Sequence, residues 1–420
     1  MNRTEVLSLI AIIMFFVNNC FGAEDMAAKV SPEAIDQRIS EIRMGDITVI
    51  TKPGSKVTVK QTRHEFLFGT AVPDSLAEKS GKPMSADDRE KYLQILEQNF
   101  NYAVHENALK WYDCEPVRGK VDYYMADRIY ELCNERNIKM RGHCIFWEKD
   151  EYIMPWLKRL NNDDLRSYVQ KRATGVTEHF KGRIEEFDLN NEMVNGTFFR
   201  RRLGYGIVNA MAWMAKAGNP NVKLFVNDYG ILVEGGYNRS SYIEQIENLL
   251  TTGVPIDGIG CQAHFISSLK NDSSGRAETK STDVQKVLDR LSEFNLPIKI
   301  TECLFAADTE EGIAEEFNRV FPILFAHPNV EAIIMWGFWA GDHWMPQTAM
   351  WKADWTPTPQ ADAYRELVYK KWWTDTAGAA DPNGSFKTRA FYGDYIITAD
   401  GKEKKVTLSK NDKSINVTFD

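Results

Sequence analysis

The chain has 420 residues, of which 43% are hydrophobic and 26% charged, so it can bury a large core and carry a small extra module. Its 51 Lys and Arg residues stand against 59 Asp and Glu residues, which gives a net charge of −8. Nucleic acids and anionic membrane surfaces are negatively charged, so this balance argues against either as a partner. A neutral substrate fits the composition better.

An apolar run at residues 6–17 lies near the start of the chain, after Arg3 and before the small residues Gly22 and Ala23. About 20 apolar residues are needed to span a bilayer, so this run is too short for a transmembrane helix and is typical of a secretory signal. We therefore predict a signal peptide over residues 1–23, a secreted or periplasmic protein, and no membrane contact after cleavage.

Five cysteines follow the predicted signal, namely Cys114, Cys133, Cys144, Cys261 and Cys303. Because the number is odd, at least one thiol stays unpaired in a monomer, which is the expected state of the protein. Buried apolar cysteines are therefore predicted in preference to a disulfide framework.

Strand and helix patterns alternate along most of the chain. A β-hairpin is predicted first, over residues 42–63, with a turn at Lys52-Pro53-Gly54. Eight strands are then predicted at residues 65–71, 101–105, 138–146, 184–190, 222–227, 258–264, 298–301 and 332–336. Amphipathic helical patterns separate them, for example at 122–137 and 281–294. This alternation predicts an α/β fold with parallel strands, closed into a (β/α)8 TIM barrel over residues 64–374.

Two of the predicted strands are followed by a carboxylate. Glu192 comes after Asn191 at the end of the run 184–190, and Glu302 comes after the run 297–301. Asn and Glu are also ordinary turn residues, so Glu192 taken alone could simply belong to a strand-to-helix turn. The C-terminal ends of barrel strands are, however, where active sites gather, and paired carboxylates are what cleavage of a glycosidic bond requires.

Polar and aromatic side chains follow the other strands as well. Each one alone is more often structural, since a lone His or Trp usually packs in a core. Their agreement at seven strand ends favours a substrate cleft that contains Glu106, Asn107, Lys110, Trp111, His143, Trp147, Asn227, Asp228, Tyr229, Gln262, His264, Trp336, Trp339 and Trp344. Neither a metal nor another cofactor is predicted, because no metal-ligand spacing and no glycine-rich phosphate loop is present.

The motifs ENALKW at 106–111, RGHCIFW at 141–147 and GIGCQAH at 258–264, together with the two carboxylates, resemble glycoside hydrolase family ten, the endo-β-1,4-xylanases. The resemblance covers residues 65–369, and FYGDY at 391–395 is similar to a subgroup, typified by plant enzymes, with short β extensions. It implies hydrolysis of xylan, a polysaccharide, by a retaining mechanism. In that mechanism Glu192 would be the acid/base and Glu302 the nucleophile.

The resemblance also implies roles for the residues that match its motifs. Asn191 would hold the 2-hydroxyl of the sugar, and Tyr229 would contact the substrate. The sugar at the cleavage point would be surrounded by His143, Gln262 and His264. The next sugar on the non-reducing side would be bound by Glu106, Asn107 and Lys110, between aromatic walls formed by Trp147, Trp336 and Trp344. Hydroxyl hydrogen bonds and indole surfaces suit an uncharged sugar.

Two positions depart from the family's pattern. Leu304 stands where the family usually has an Asp, which removes the expected hydrogen-bond partner of His264. Glu148 stands where the family usually has a His, and it is open whether this carboxylate compensates. The loop 337–347 is also richer in aromatic residues than usual, which favours a decorated or unusual xylan.

Two other functions stay open at this point. A retaining hydrolase of another β-linked glycan, such as cellulose or a mixed-linkage chain, would use the same mechanism. A catalytically silent glycan-binding barrel is favoured by Leu304, whereas the presence of both Glu192 and Glu302 argues against it.

The end of the chain predicts a small β-module. After a last predicted helix at 359–373, the composition changes to Gly, Ala, Asp and Pro, and then to alternating runs with turns at Asp400-Gly401 and Asn411-Asp412. Because strand eight ends at the catalytic face, the last helix returns the chain to the opposite face. We predict that residues 42–63 and the C-terminal extension 385–420 pack together beneath the barrel and close it.

Overall fold

The computed structural model describes residues 26–233, 236–266 and 279–419. The predicted signal peptide, residues 1–23, lies outside this part of the chain. In the described residues no helix combines the length and the apolar character needed to cross a membrane. The five cysteines from Cys114 onwards are buried and unpaired, as predicted.

The strands of the described residues form three sheets. In chain order the strands are β1 Met44–Ile50, β2 Lys56–His64, β3 Leu67–Val72, β4 Tyr102–His105, β5 Lys139–Arg141, β6 Phe146–Trp147, β7 Glu186–Asn191, β8 Lys223–Asp228, β9 Gly258–Phe265, β10 Ile298–Phe305, β11 Val330–Met335, β12 Asp375–Ala379, β13 Ser385–Phe391, β14 Gly393–Ala399, β15 Lys402–Leu408 and β16 Ser414–Thr418. The largest sheet has the order β5-β4-β3-β11-β10-β9-β8-β7-β6, with parallel pairing throughout.

This sheet closes on itself and confirms the predicted (β/α)8 barrel. β5 and β6 are two pieces of one strand position, and Gly142, which lies between them, bridges to Phe187 in β7. The continuous strand predicted at 138–146 is therefore wrong. A Cβ atom at Gly142 would lie 2.1 Å from the ring of Phe187, so the close approach that closes the barrel requires glycine.

Helices cover the outside of the barrel, and their buried faces supply much of its core. They are Pro32–Arg43, Ala86–Asn99, Trp111–Cys114, Tyr124–Asn134, Pro155–Lys158, Asn162–His179, Phe198–Leu203, Ile207–Gly218, Arg239–Thr251, Ser281–Ser292, Glu310–Phe325 and Pro359–Glu366. Ser85, Asn161 and Thr309 fix three helix starts, because each side chain accepts from a backbone N–H of the first turn. The helix predicted at 359–373 ends at Glu366 and continues as a π-helical turn, Leu367–Lys371.

Charged side chains cross the interior of the barrel below its C-terminal mouth. Arg141 donates to both oxygens of Asp188, at 2.9 and 2.6 Å, and to Glu186 at 3.1 Å. Glu186 also accepts from Lys299 at 2.5 Å and from the Tyr102 hydroxyl at 2.6 Å. Burial disfavours the charged forms of Glu186 and Asp188, but the neighbouring cations and hydrogen bonds outweigh it and lower the pKa of both. Each buried carboxylate is thus paired, as burial of a charge requires.

The other seven strands form a β-module at the N-terminal ends of the barrel strands. One sheet has the order β13-β1-β16 and the other β12-β2-β14-β15, so residues 44–64 pair directly with the C-terminal extension. The two sheets share an apolar core that includes Ile47, Val49, Val57, Val59, Tyr395, Ile397 and Val417. Arg63 donates to the carbonyls of Asn101 and Asn137, just before β4 and β5. This contact places the module at the face opposite the strand-end carboxylates.

The hairpin predicted over residues 42–63 is wrong. Its two strands, β1 and β2, lie in different sheets, because their connection bonds to another loop instead of folding one strand onto the other. The N–H of Thr51 donates to Gly384, and the N–H of Gly54 donates to Ala380. The strand β12 was not predicted, since its sequence DTAGA is poor in the β-branched and aromatic residues that favour strands.

Arg43, the residue directly before β1 of the module, binds the bottom of the barrel. Its buried guanidinium donates to the carbonyls of Phe325, His327 and Val330 at 2.7 to 2.9 Å, and it lies over the ring of Phe66. Val330 begins β11, so the contact joins the helix Pro32–Arg43 to the bottom of a barrel strand.

We expect Arg43→Met to lower the free energy of unfolding by about 2–4 kcal/mol, because it leaves three buried carbonyls without their charged donor. Urea denaturation would measure this. The exposed Arg159→Met is a matched control, for which a change within about 0.5 kcal/mol is expected. Equal stability of the two variants would contradict the role assigned to Arg43.

Candidate active site

Two carboxylates lie at the C-terminal mouth of the barrel. Glu192 follows β7 with a φ of 57°, and its carbonyl accepts from the N–H groups of Asn195 and Gly196 in a tight turn. Glu302 lies within β10, whose pairing with both neighbouring strands changes register just after Ile300. Such irregularities redirect a side chain. Both carboxylates are nearly buried, with 8% of Glu192 and 4% of Glu302 exposed.

Three side-chain amides connect the two carboxylates. Asn227 Nδ2 donates to Asn191 Oδ1 at 2.9 Å and to Glu302 Oε1 at 3.0 Å. Gln262 Nε2 donates to the same oxygen of Asn191 at 3.3 Å and to Glu192 Oε1 at 3.1 Å. Glu192 and Glu302 therefore belong to one hydrogen-bonded cluster, formed by the ends of four different strands.

Glu302 is held in its charged form. The Nε2 atom of His264 lies 3.2 Å from Glu302 Oε2 and must donate, since a carboxylate can only accept. Burial disfavours the charge, but the hydrogen bond from His264 and the electrostatic interactions with His143, His264 and Lys110 outweigh it and lower the pKa of Glu302. An ionised carboxylate is what a nucleophile requires.

His143 is oriented from below by the interior of the barrel. Its Nδ1 atom lies 2.8 Å from Asp188 Oδ2, and because Asp188 is ionised, Nδ1 is the donor. The ring of Trp336 meets His143 edge-on, with 5.4 Å between centroids. His143 is thus fixed between a buried charge and an aromatic wall.

Lys110 lies between polar and aromatic partners on the side of the mouth formed by β4 and β6. It donates to Asn107 Oδ1 at 2.9 Å, and its ammonium lies 4.7 Å from the ring centre of Trp147. Trp147 stacks on Tyr152 with 3.6 Å between centroids. Lys110 therefore contacts two of the residues predicted with it from the sequence, Asn107 and Trp147.

Glu106, on the same side of the mouth as Lys110, has a shifted pKa. The pKa of Glu106 is raised to about 7, mainly by burial and in smaller part by the negative charges of Asp342, Asp74 and Glu302, against the opposing effect of Lys110. A carboxyl group with this pKa changes protonation near neutral pH, where it can donate as well as accept a hydrogen bond.

The remaining predicted residues lie around the same mouth. Trp344 is 53% exposed and meets His264 edge-on, with 5.5 Å between centroids. Tyr229 follows β8, across the barrel from Glu106, and its hydroxyl accepts from Asn195 at 3.0 Å. Trp111 and Trp339 are different, because Trp111 stacks on Phe199 and Trp339 on Trp355 as packing residues.

The structure shows the surroundings of Leu304 and Glu148, the two positions that depart from the family's pattern. Leu304 is 2% exposed and lies beside His264 in the paired strands β9 and β10. The Nδ1 atom of His264 has no hydrogen-bond partner among residues 26–233, 236–266 and 279–419. Glu148 does not replace the lost partner. Its buried carboxylate accepts from Arg200 at 2.8 Å and from the N–H of Phe199 at 3.1 Å, and so holds the start of the helix Phe198–Leu203.

Sequence reasoning gave no site role to two residues that contact the predicted ones, Lys149 and Asp188, and placed Asn227 in the cleft without a specific contact. Lys149 is in the charged run EKDE, which is typical of a solvated surface, and nothing local shows that it meets Glu192 at 2.5 Å. Asp188 carries a better signal, because a charged residue inside an apolar strand needs a buried partner. Asn227 was noted at its strand end, but its bridge to Glu302 depends on the barrel's closure.

The chain matches the model of the family described as "Glycosyl hydrolase family 10" over residues 59–368. It is 34% identical over 397 residues to "Anti-sigma-I factor RsgI6" of Acetivibrio thermocellus, which covers 91% of this chain and 49% of that protein. It is 34% identical over 377 residues to "Endo-1,4-beta-xylanase 1" of Arabidopsis thaliana, covering 87% of this chain and 37% of that protein. The chain thus spans half or less of the length of these relatives.

The fold is similar to solved structures as well. Native xylanase 10B from Thermotoga maritima superposes with a TM-score of 0.62 at 25% sequence identity, over 73% of this chain and 96% of that chain.

We expect Glu106→Gln to raise the melting temperature more at about pH 8 than at about pH 5. The folded protein binds a proton at Glu106 between the ordinary pKa of 4.5 and the raised value of about 7, so stability is lost as pH rises through that window. In Glu106→Gln the side chain is an amide that binds no proton in either state, so this loss of stability with rising pH is absent. Glu90→Gln, at an exposed helix position, is the control. The same change in melting temperature at both pH values would contradict the raised pKa.

Proposed function

Because the chain belongs to glycosyl hydrolase family 10, we propose that it is an endo-1,4-β-xylanase that cleaves internal bonds of xylan with retention of configuration. The observation that carries this proposal is the cluster in which Asn191, Asn227 and Gln262 connect Glu192 to Glu302. It supports a double displacement, which needs two carboxylates at one bond in different charge states.

In the first step Glu302 attacks the anomeric carbon while the bond to the leaving oxygen breaks, and Glu192 gives its proton to that oxygen. The lowered pKa of Glu302 supports its part as nucleophile, because it is ionised when substrate arrives. The product is a covalent glycosyl ester on Glu302 and a released sugar chain.

In the second step water attacks the anomeric carbon of the ester, and Glu192, now a carboxylate, takes a proton from that water. Glu302 leaves as a carboxylate and again accepts from Asn227 and His264. Two inversions at the same carbon give net retention.

The proposed substrate contacts follow the two sides of the mouth. Asn191, beside both carboxylates, suits the 2-hydroxyl of the sugar that is attacked. Glu106, Asn107 and Lys110 suit the hydroxyls of the next sugar, whose apolar face would pack on the indole rings. Tyr229, across the barrel from Glu106, suits the leaving side. Secretion of the enzyme is also part of the proposal and is supported by the apolar run at residues 6–17.

A second candidate function is a barrel that binds glycan without cleaving it. Two observations favour it. Leu304 leaves the Nδ1 atom of His264 without a partner in the described residues. One relative, moreover, carries the name of an anti-sigma factor rather than of an enzyme. Hydrolysis of another β-linked glycan is the alternative within the enzyme class.

We expect the protein to release xylo-oligosaccharides from xylan and no products from cellulose or mannan, as measured by chromatography. Glu302→Gln is the matched control, because it keeps the shape of the side chain but removes the nucleophile. Its turnover should fall by roughly 10³-fold or more. Release from cellulose or mannan at a similar rate would favour the other hydrolase, and binding to xylan without any products would favour the silent barrel.

We expect azide to restore turnover of an aryl xylobioside by Glu192→Ala. The aryl group leaves without a proton, so the ester on Glu302 still forms, and azide attacks it without a general base. Azide enters on the face that the leaving group left, so the product is the β-glycosyl azide. Its configuration would be measured by NMR.

The azide experiment has wild-type protein as its control. Wild-type protein should form little azide product, because water activated by Glu192 competes. An α-glycosyl azide from Glu192→Ala would contradict the assignment of the two carboxylates.

A further inference from the structure

Lys149 makes an ion pair with the carboxylate assigned as acid/base. Its ammonium lies 2.5 Å from Glu192 Oε2, with 19% of the lysine side chain and 10% of the glutamate side chain exposed. The same ammonium lies 4.7 Å from the ring centre of Tyr229. Lys149 thus lies between Glu192 and the residue that marks the proposed leaving side of the cleft.

Each oxygen of Glu192 lies against a different polar side chain. Gln262 donates to Oε1, and Lys149 lies against Oε2. An ammonium in contact with a carboxylate favours its charged form. That form is the one needed to take a proton from water in the second step, but the first step needs a proton on Glu192 and an oxygen that faces the glycosidic bond. The ion pair therefore favours the second step, in which water attacks, and opposes the first step, in which the leaving group departs.

We propose that Lys149 is a positioning residue that holds Oε2 of Glu192 between turnovers and moves from this oxygen toward Tyr229 when the leaving-group sugar enters. The proposal rests on the proposed function. Tyr229 provides the second position, because its ring already contacts the ammonium. The proton that Glu192 takes from water in one cycle passes to solvent as the ion pair re-forms, and Glu192 takes a proton from solvent before the next cycle.

Other titratable groups also face this pair. Asp228 lies nearby, accepts from the N–H groups of Val194 and Tyr229, and has its pKa raised by burial to about 7. Tyr152 interacts with the charges of both Glu192 and Lys149, and burial raises its pKa. Both are present in every variant named below, so a difference between variants reports the loss of the ammonium.

The test compares Lys149→Met with wild type in the pH dependence of kcat/KM on xylotetraose, whose leaving group needs a proton. Lys149→Met removes the positive charge that opposes proton donation at the cleavage point, so the alkaline limb of kcat/KM should move to higher pH and the ratio of kcat/KM at high to low pH should rise several-fold. Lys149→Arg keeps the charge and should keep the wild-type limb. On an aryl xylobioside whose leaving group departs unprotonated, the limb of kcat/KM should not move.

Lys171→Met is the matched control, because Lys171 also lies over a tyrosine ring, 4.8 Å from Tyr168, but outside the site. Its pH profile should equal that of wild type. An unmoved alkaline limb in Lys149→Met, at an unchanged melting temperature, would overturn the proposal, as would equal losses in Lys149→Met and Lys149→Arg at every pH. Failure of wild-type protein to cleave xylotetraose at all would instead remove the proposed function.

Discussion

Arg141 and Asp188 form a two-point ion pair inside the barrel, where neither side chain is exposed to solvent. A buried charge that loses its partner costs about 3–5 kcal/mol, so each of the two requires the other. Asp188 uses the charge that Arg141 stabilises to hold Nδ1 of His143. His143 in turn contributes to the lowered pKa of Glu302. The electrostatic environment of Glu302, the proposed nucleophile, therefore depends on charges in the interior of the barrel, below the cleft.

Regular strands alone would not bring the two carboxylates to one substrate bond. The backbone of Glu192 takes a left-handed conformation after β7, which redirects its side chain. The side chain of Glu302 is redirected because the register of β10 shifts after Ile300. The left-handed backbone at Glu192 costs energy, and the hydrogen bond from Gln262 to its carboxylate offsets part of that cost, while Asn227 bonds to Glu302 beside the register shift. The strain and the hydrogen bonds lie at the same place, which is where the proposed chemistry occurs.

The sequence predicted the barrel because a strand that is buried on both faces appears as an apolar run. The first polar residue after such a run marks the end of the strand, and these ends form the mouth of the barrel. Glu192 and Glu302 could be found in this way. The hairpin at 42–63 could not be judged correctly, since alternation predicts strands but does not say which strand pairs with which. The contact of Lys149 was not predicted for a related reason. Its partner, Glu192, follows a different strand, and only the closed barrel brings the two residues together.

Leu304 removes a contact from His264 without removing a contact from Glu302. Glu302 keeps two direct donors, Asn227 on one oxygen and His264 on the other. A partner on Nδ1 would act on Glu302 only through the imidazole ring, whereas the direct donors and the nearby cations act on the carboxylate itself. Because direct hydrogen bonds to a charged group are strong and indirect effects weaken with each step, the lowered pKa of Glu302 survives the replacement. The leucine therefore alters how the ring of His264 is held more than it alters the charge on Glu302.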